Sequence, residues 1–315
     1  MKFLKAILIF IIVFAVLAGG LVAIDYFTGF DIGIFDTADL EENTYEVTES
    51  YSKLIVETMV VDIEMAPSDT EITQISTKNR EGLGIEYVVE NDTLRITQKD
   101  NRKWYQKTGI FAKHNVLRVS IPTAFSGDII LKNDTGDIAI SGITANKFNI
   151  EGDSGDIAIA DVTSQNFELE NDTGDIAISG VKGGKFDIST ETGNLKVDGA
   201  SVNTLILEDE TGDITLENAK EMETLKVEND TGDVVMKNVY ALSVNAKTDT
   251  GNVEFTDLDG KDIRLEADTG DIIGNILSPK IYEAHTSTGN VDVPRSEPVD
   301  SRCYVRTHTG DIKIE

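Results

Sequence analysis

Cysteine is almost missing from this chain: the 315 residues hold one, Cys303. A lone thiol forms no internal disulfide, and none lies near the amino terminus to carry a lipid. Histidine is equally scarce. His114, His285 and His308 stand in unrelated contexts, which suits surface or turn positions better than a ligand set. Positive charge is short as well, with 28 Lys and Arg against 56 Asp and Glu, a formal charge of −28 and a pI near 4.3. That balance excludes a nucleic-acid footprint and opposes docking on anionic lipid or wall polymers without a bridging cation. It also serves plain solubility, because a repetitive surface needs charge to resist sticking. No Ser/Pro tract or acidic tail marks a disordered arm, and 40% hydrophobic residues supply one long core.

What the chain has in abundance is one phrase, Asp/Glu-Thr/Ser-Gly-Asp/Asn. Its glycine falls at Gly136, Gly155, Gly174, Gly193, Gly212, Gly232, Gly251, Gly270, Gly289 and Gly310, in steps of 19 to 21 residues. A fixed short period is the signature of a repeat architecture. Two residues after each glycine stands an aliphatic residue, from Ile138 and Ile157 to Ile312. Four residues after it stands another apolar residue, except at Gly274. This period-two alternation marks a strand with one buried face. Further round, Ile143, Val162 and Val181 precede a second alternating pair such as Phe148 and Ile150. Each repeat therefore reads as strand, turn, strand, turn, with strands of about five residues. So short a strand cannot bury its face alone, and stacking identical coils into an all-β solenoid solves the problem. Ten coils make a rod on the order of 50 Å long.

A second signal lies at the amino terminus, where Lys2 and Lys5 precede an uncharged run at residues 6–24. Nineteen residues suffice to cross a bilayer, and the flanking lysines place residues 1–5 in the cytoplasm and everything after Asp25 outside. A cleaved signal peptide is the alternative, because Val16-Leu17-Ala18 resembles a small-residue cleavage site. Length and the lack of a polar cleavage region favour a single-pass anchor in the cell membrane. Residues 25–50 then form a short acidic stalk. Residues 51–130 keep strand character without the glycine phrase and read as irregular opening coils, a separate β domain being the alternative. Residues 131–315 are the regular array.

Three phrases lead further: Val61-Asp62-Ile63-Glu64-Met65-Ala66-Pro67-Ser68-Asp69, Asp92-Thr93-Leu94-Arg95-Ile96 and Leu117-Arg118-Val119-Ser120-Ile121-Pro122. Followed by serial Thr-Gly-Asp-Ile coils, they make residues 45–315 resemble the bacterial domain family of unknown function called "putative adhesin". Within it the chain is similar to LiaG-type members. The resemblance implies a β-solenoid on one amino-terminal membrane helix, associated with cell-envelope stress operons. It brings no catalytic residue, and the array here is longer than in shorter members.

The turns carry the most tempting chemistry. Asp134, Asp153, Asp172, Asp230 and Asp268 precede the Thr/Ser-Gly pair, and Asp137, Asp156, Asp175, Asp233 and Asp271 follow it. Coils in register would stack these into two carboxylate columns, with neighbours repelling by roughly 0.9 kcal/mol at about 4.8 Å in water. Calcium is the natural compensating ion. The doubled glycine of calcium-binding β-rolls is missing, however, so the expectation is weakly bound calcium rather than an integral cofactor. A mechanical role for Gly, Asp and Thr at a tight corner is the competing reading. A polysaccharide lyase or hydrolase would need a local cluster of carboxylates or a cation beside a base, and here no acidic residue is singular. The chain reads as a non-enzyme.

One basic, aromatic stretch breaks the acidic monotony. Lys103, Trp104, Tyr105 and Lys107 suit either a headgroup or partner contact, or a long loop that pairs with the acidic rod. At the far end, the chain stops on the strand Thr309–Glu315. The insertion Pro294–Arg302 is proline-bearing and charged, which makes it the expected cap of that edge, keeping the protein a monomer. The sequence thus describes a membrane-anchored, extracytoplasmic rod that interacts with an envelope protein or polymer. A calcium-dependent polymer-binding rod is the runner-up.

Overall fold

The computed structural model describes residues 41–79, 83–100 and 115–315. The run at 6–24, residues 25–40 of the expected stalk, and Lys103, Trp104, Tyr105 and Lys107 lie outside the described residues. Among the described residues no helix is long and apolar enough to cross a membrane.

The described chain is an all-β solenoid of about 19 residues per coil. One coil shows the logic. Ile157–Ala160 is a four-residue strand that buries Ile157 and Ile159. The chain turns at Asp161, whose φ is 52°. It then runs through the eleven-residue strand Thr163–Thr173, which buries Phe167 and Leu169, and reaches the tight corner at Gly174. Strands of four and eleven residues replace the two fives expected from sequence. The long strand stays paired through two irregularities, because its register with the next coil skips Gln165 and Asp172. Each skipped residue is matched by one in the next coil, Gly184 and Glu191, so neighbouring coils turn together and the register is kept.

Stacking in register builds single-residue columns through the core. Ile63, Ile138, Ile157, Ile176, Leu195 and Ile214 lie one above another in the short-strand sheet. In the other sheet Ile129, Phe148, Phe167, Phe186, Leu205 and Leu225 do the same. Phe167 and Phe186 stack with centroids 4.8 Å apart. The one break in the apolar pattern, Gly274, has a packing cause: a Cβ there would lie 2.4 Å from the Phe255 ring. That ring fills the space the glycine leaves.

Both ends depart from chain order. At the amino-terminal end, Lys53–Val60 lies between Thr93–Asp100 and Asp128–Thr135, and Asp62–Ser68 lies between Val116–Pro122 and Ile138–Ser141. Antiparallel strands close this end: Leu83–Glu90 on Thr93–Asp100, Thr73–Asn79 on Val116–Pro122, and Glu41–Val47 on Thr73–Asn79. Residues 41–47 of the expected stalk are therefore an edge strand of the sheet, held by seven register pairs.

The carboxy-terminal end corrects a second expectation. The last long strand, Arg302–Thr309, is inserted between Asp262–Thr269 and Ile281–Thr288. Likewise Ile312–Ile314 lies between Ile272–Ile276 and Val291–Asp292. The final strand is thus interior, and the edge belongs to the coil before it. Residues 293–301 are the crossover that carries the chain back past that coil.

The tight corner sets the strictest demand on sequence. At Gly193 φ is 143°, and an added Cβ would lie 2.1 Å from the carbonyl oxygen of Gly174. We expect Gly193→Ala to cost about 3 kcal/mol or more, since strained backbone and backbone contact combine. Gly84→Ala, where a Cβ meets nothing within 4 Å, should stay within about 0.5 kcal/mol. Denaturant midpoints of the two variants measure the difference.

Candidate functional site

The corner carboxylates are brought together as two columns, and each column has a different job. Those after the glycine form a ladder onto the backbone. Asp62 Oδ1 accepts the amide N–H of Asp137 (3.0 Å), Asp137 that of Asp156 (3.0 Å), and Asp156 that of Asp175 (2.9 Å). The ladder continues through Asn194, Asp213, Asp233, Asn252, Asp271 and Asp311 to Asn290. Each side chain reaches one coil along and satisfies an amide at an exposed corner. An acceptor oxygen is all that is required, so Asn replaces Asp as the acceptor at residues 194 and 252. Those neutral rungs also interrupt the repulsion along the column.

The residues before the Thr/Ser-Gly pair do otherwise. Asp134, Asp153, Asp172, Asp230 and Asp268 are exposed, and Asp153 and Asp172 are skipped by the strand register. Their carboxylates lie at the surface, with Asp268 Oδ1 3.2 Å from His308 Nδ1. Among the described residues no three Asp, Glu, His or Cys side chains converge on a possible metal position. The candidates for calcium are thus placed along a rod rather than in a cage.

Between these columns runs a buried one that sequence reasoning missed. Three residues before the glycine, Asn133, Asn171 and Asn229 donate through Nδ2 to glycine carbonyls at 2.8 to 3.1 Å. Thr248 and Thr307 donate through Oγ1 in the same way, at 3.1 and 2.9 Å. Asp209 takes this place in its coil and is 4% exposed. Its Oδ1 accepts the Thr211 amide (3.0 Å), while Oδ2 has no partner. Burial pushes its carboxyl up to about 6, with Asp213, Asp230 and Glu210 adding repulsion. The signal was present in sequence as an Asn/Thr position, but an Asp among so many acids hides it.

The outward face of the short-strand sheet holds the second feature that sequence reasoning missed. Ala139, Ala158 and Ala177 stack in register and point out, beside Ser141, Ala160 and Ser179. Small side chains in consecutive coils leave a groove of about 600 Å³. Glu64 and Arg118 stand at one end of it, where Arg118 Nε meets Glu64 Oε2 at 2.7 Å, and Lys196 and Asp198 at the other. The floor is apolar and the ends are charged.

Cys303 lies in the core column, where burial pushes its thiol up to about 12, so it offers no nucleophile near neutral pH. Lys280 is fully buried and pairs with Asp259 at 2.7 Å. It fastens the turn that leads into the end coil.

The coil geometry and corner phrase agree with the profile of the Toastrack DUF4097 family, which matches residues 51–238 and 220–315. The chain belongs to that family. No curated protein matches it. Solved structures similar to this Toastrack chain include a "putative adhesin" from Bacteroides fragilis, 16% identical with a TM-score of 0.39, covering 87% of this chain and 97% of that one. A "putative adhesin" from Parabacteroides distasonis is 12% identical with a TM-score of 0.38, covering 88% and 98%. A "Putative lipid binding protein" from the same species is 12% identical with a TM-score of 0.37, covering 87% and 97%. None of the three bears on what this chain binds.

Asp209 yields a pH prediction. Its folded pKa lies above the unfolded value of 3.8, so the folded state binds the extra proton between about pH 4 and 6. The stabilising contribution is full below about pH 4 and is lost as pH rises through 6. Asp209→Asn supplies a permanent donor, so the variant should be more stable than the parent at pH 7.5, by about 1–2 kcal/mol after allowance for solvent screening. The difference should vanish near pH 4. Denaturant titrations at the two pH values read both.

Proposed function

We propose that this Toastrack chain is a non-catalytic interaction module, an adhesin-like rod anchored in the cell membrane by residues 6–24 and projecting outside the cell. The observation that carries this reading is the division of labour on the rod. The recurrent polar corner residues after the glycine hold backbone, whereas the alanine groove is a surface the fold does not itself use. Ala139, Ala158 and Ala177 offer a flat apolar floor with no aromatic ring, which suits an extended protein segment laid across the coils. The partner is then a protein of the cell envelope, and the module's role is in envelope homeostasis.

A calcium-dependent polymer-binding rod is the second reading, favoured by the solvent-facing column through Asp134, Asp153 and Asp172. One experiment separates the two. The full-length chain, solubilised from membranes and immobilised, is offered envelope proteins and wall polymers, each with calcium and with chelator. We expect a protein to be retained regardless of calcium and to be lost with Ala158→Glu. Retention of polymer in calcium alone would select the second reading, and retention unchanged by Ala158→Glu would remove the groove from either.

A further inference from the structure

The carboxy-terminal end of the solenoid is unlike every other part of its surface. The end coil, Ile281–Thr288 with Val291–Asp292, pairs on one side only, with Arg302–Thr309 and Ile312–Ile314. Its inward side chains Tyr282, Ala284 and Val293 pack on the core yet stay half-buried, because among the described residues no coil stacks beyond them. Around them Leu277 is 61% exposed, Val291 44% and Ile281 40%. The antiparallel strands that close the other end have no counterpart here among the described residues.

The backbone at this edge can be assigned. Ile281 donates its amide back toward the body, to the Ser301 carbonyl. Tyr282 points the other way, where Ser296 Oγ accepts its N–H at 2.9 Å and donates to its carbonyl at 3.4 Å. The crossover therefore covers Tyr282. By the alternation of a strand, the amides and carbonyls of Ala284 and Thr286 face the open end. An uncovered row of this kind templates strand addition.

Charge decides what can add there. Residues 131–271 carry 11 Lys and Arg against 31 Asp and Glu, a net of −20, whereas residues 272–315 carry five against six, a net of −1. Two copies brought side by side would oppose those acidic flanks. At this end they can meet with little repulsion. The free groups are also self-complementary: an antiparallel pairing about a two-fold axis through His285 sets Ala284 of each copy against Thr286 of the other. Ala284 and Val291 then continue one core across the junction.

We propose that this end coil is a homotypic docking surface, on which a second copy of the chain pairs edge to edge through Glu283–Ser287. The pairing stands on the edge geometry alone. Its consequence rests on the reading of residues 6–24 as an anchor. The solenoid places Glu41–Val47 and Ile281–Thr288 at opposite ends, so anchored rods would meet tip to tip and could join two membranes.

Cysteine cross-linking of the full-length chain tests the pairing directly. The only native thiol, Cys303, is buried, so background is low. His285 is exposed, and the proposed axis sets it opposite its own copy at a non-hydrogen-bonded position, with Cβ atoms about 4.5–5.5 Å apart. His285→Cys should give an oxidised dimer at twice the chain mass. Glu254→Cys, exposed on the flank of the rod, should give at least ten-fold less. Adding Ala284→Pro to His285→Cys should remove the dimer while circular dichroism stays that of the parent. No dimer from His285→Cys in a normally folded chain, or equal yield from Glu254→Cys, would overturn the proposal. Because no envelope ligand enters the measurement, its failure is distinct from failure of the groove reading.

Discussion

Everything in this structure depends on hydrogen bonding along the axis of the rod, from each coil to the next. A strand of four residues such as Ile157–Ala160 has no stability of its own. It persists because both of its neighbours offer a matching ladder at the same height. The tight corner is where such a ladder is hardest to maintain, since the backbone there is exposed and sharply bent. Two devices keep it continuous. The glycine lets consecutive corners approach so closely that Gly193 leaves no room for a Cβ beside Gly174. The Asp or Asn after it hands an acceptor to the next coil's amide, as Asp156 does for Asp175 at 2.9 Å. Beneath them, Asn and Thr donors hold the glycine carbonyls from inside. The corner phrase is thus a structural unit.

A stack of equal coils is weakest at its ends, where a terminal coil has one neighbour and a free chain end to peel from. Here neither the first parallel strand of the stack, Lys53–Val60, nor the last long one, Arg302–Thr309, is outermost. Lys53–Val60 is clamped between two later segments, and Arg302–Thr309 between two earlier ones. Peeling either of these two strands breaks hydrogen bonds on both of its sides. The arrangement also explains why the crossover at 293–301 carries no strand: it passes a whole coil before re-entering the stack.

The repeat itself was legible, since Ile138, Ile157 and Ile176 state both the period and the buried face. The alanine groove was written there too, in Ala139, Ala158 and Ala177, but alanine in an alternating strand reads as filler rather than as a surface. Strand lengths were not legible, because the unpaired positions Gln165 and Asp172 look like turns in sequence while the ladder continues past them. Spatial order at the ends was beyond reach for a deeper reason. A 21-residue step before Gly310 says that something is inserted, yet a coil of the same pattern fits equally well before or after the Gly289 coil. Asp209 shows the limit for the site: its type matches the acidic columns on either side, and its inward direction sets it apart.

The central claim is that the corner carboxylates act on the backbone of the next coil, and amide hydrogen exchange tests it most directly. The amides of Asp156, Asp175, Asn194, Asp213 and Asp233 belong to exposed or half-exposed corner residues whose hydrogen-bond acceptor is a side chain. If the ladder holds the stack together, they exchange as slowly as the core strand amides of Phe167 and Leu169 and share their global opening energy. Exchange at those corners near the rate of an unstructured chain, with the core still protected, would show that the carboxylates decorate the rod and do not hold it.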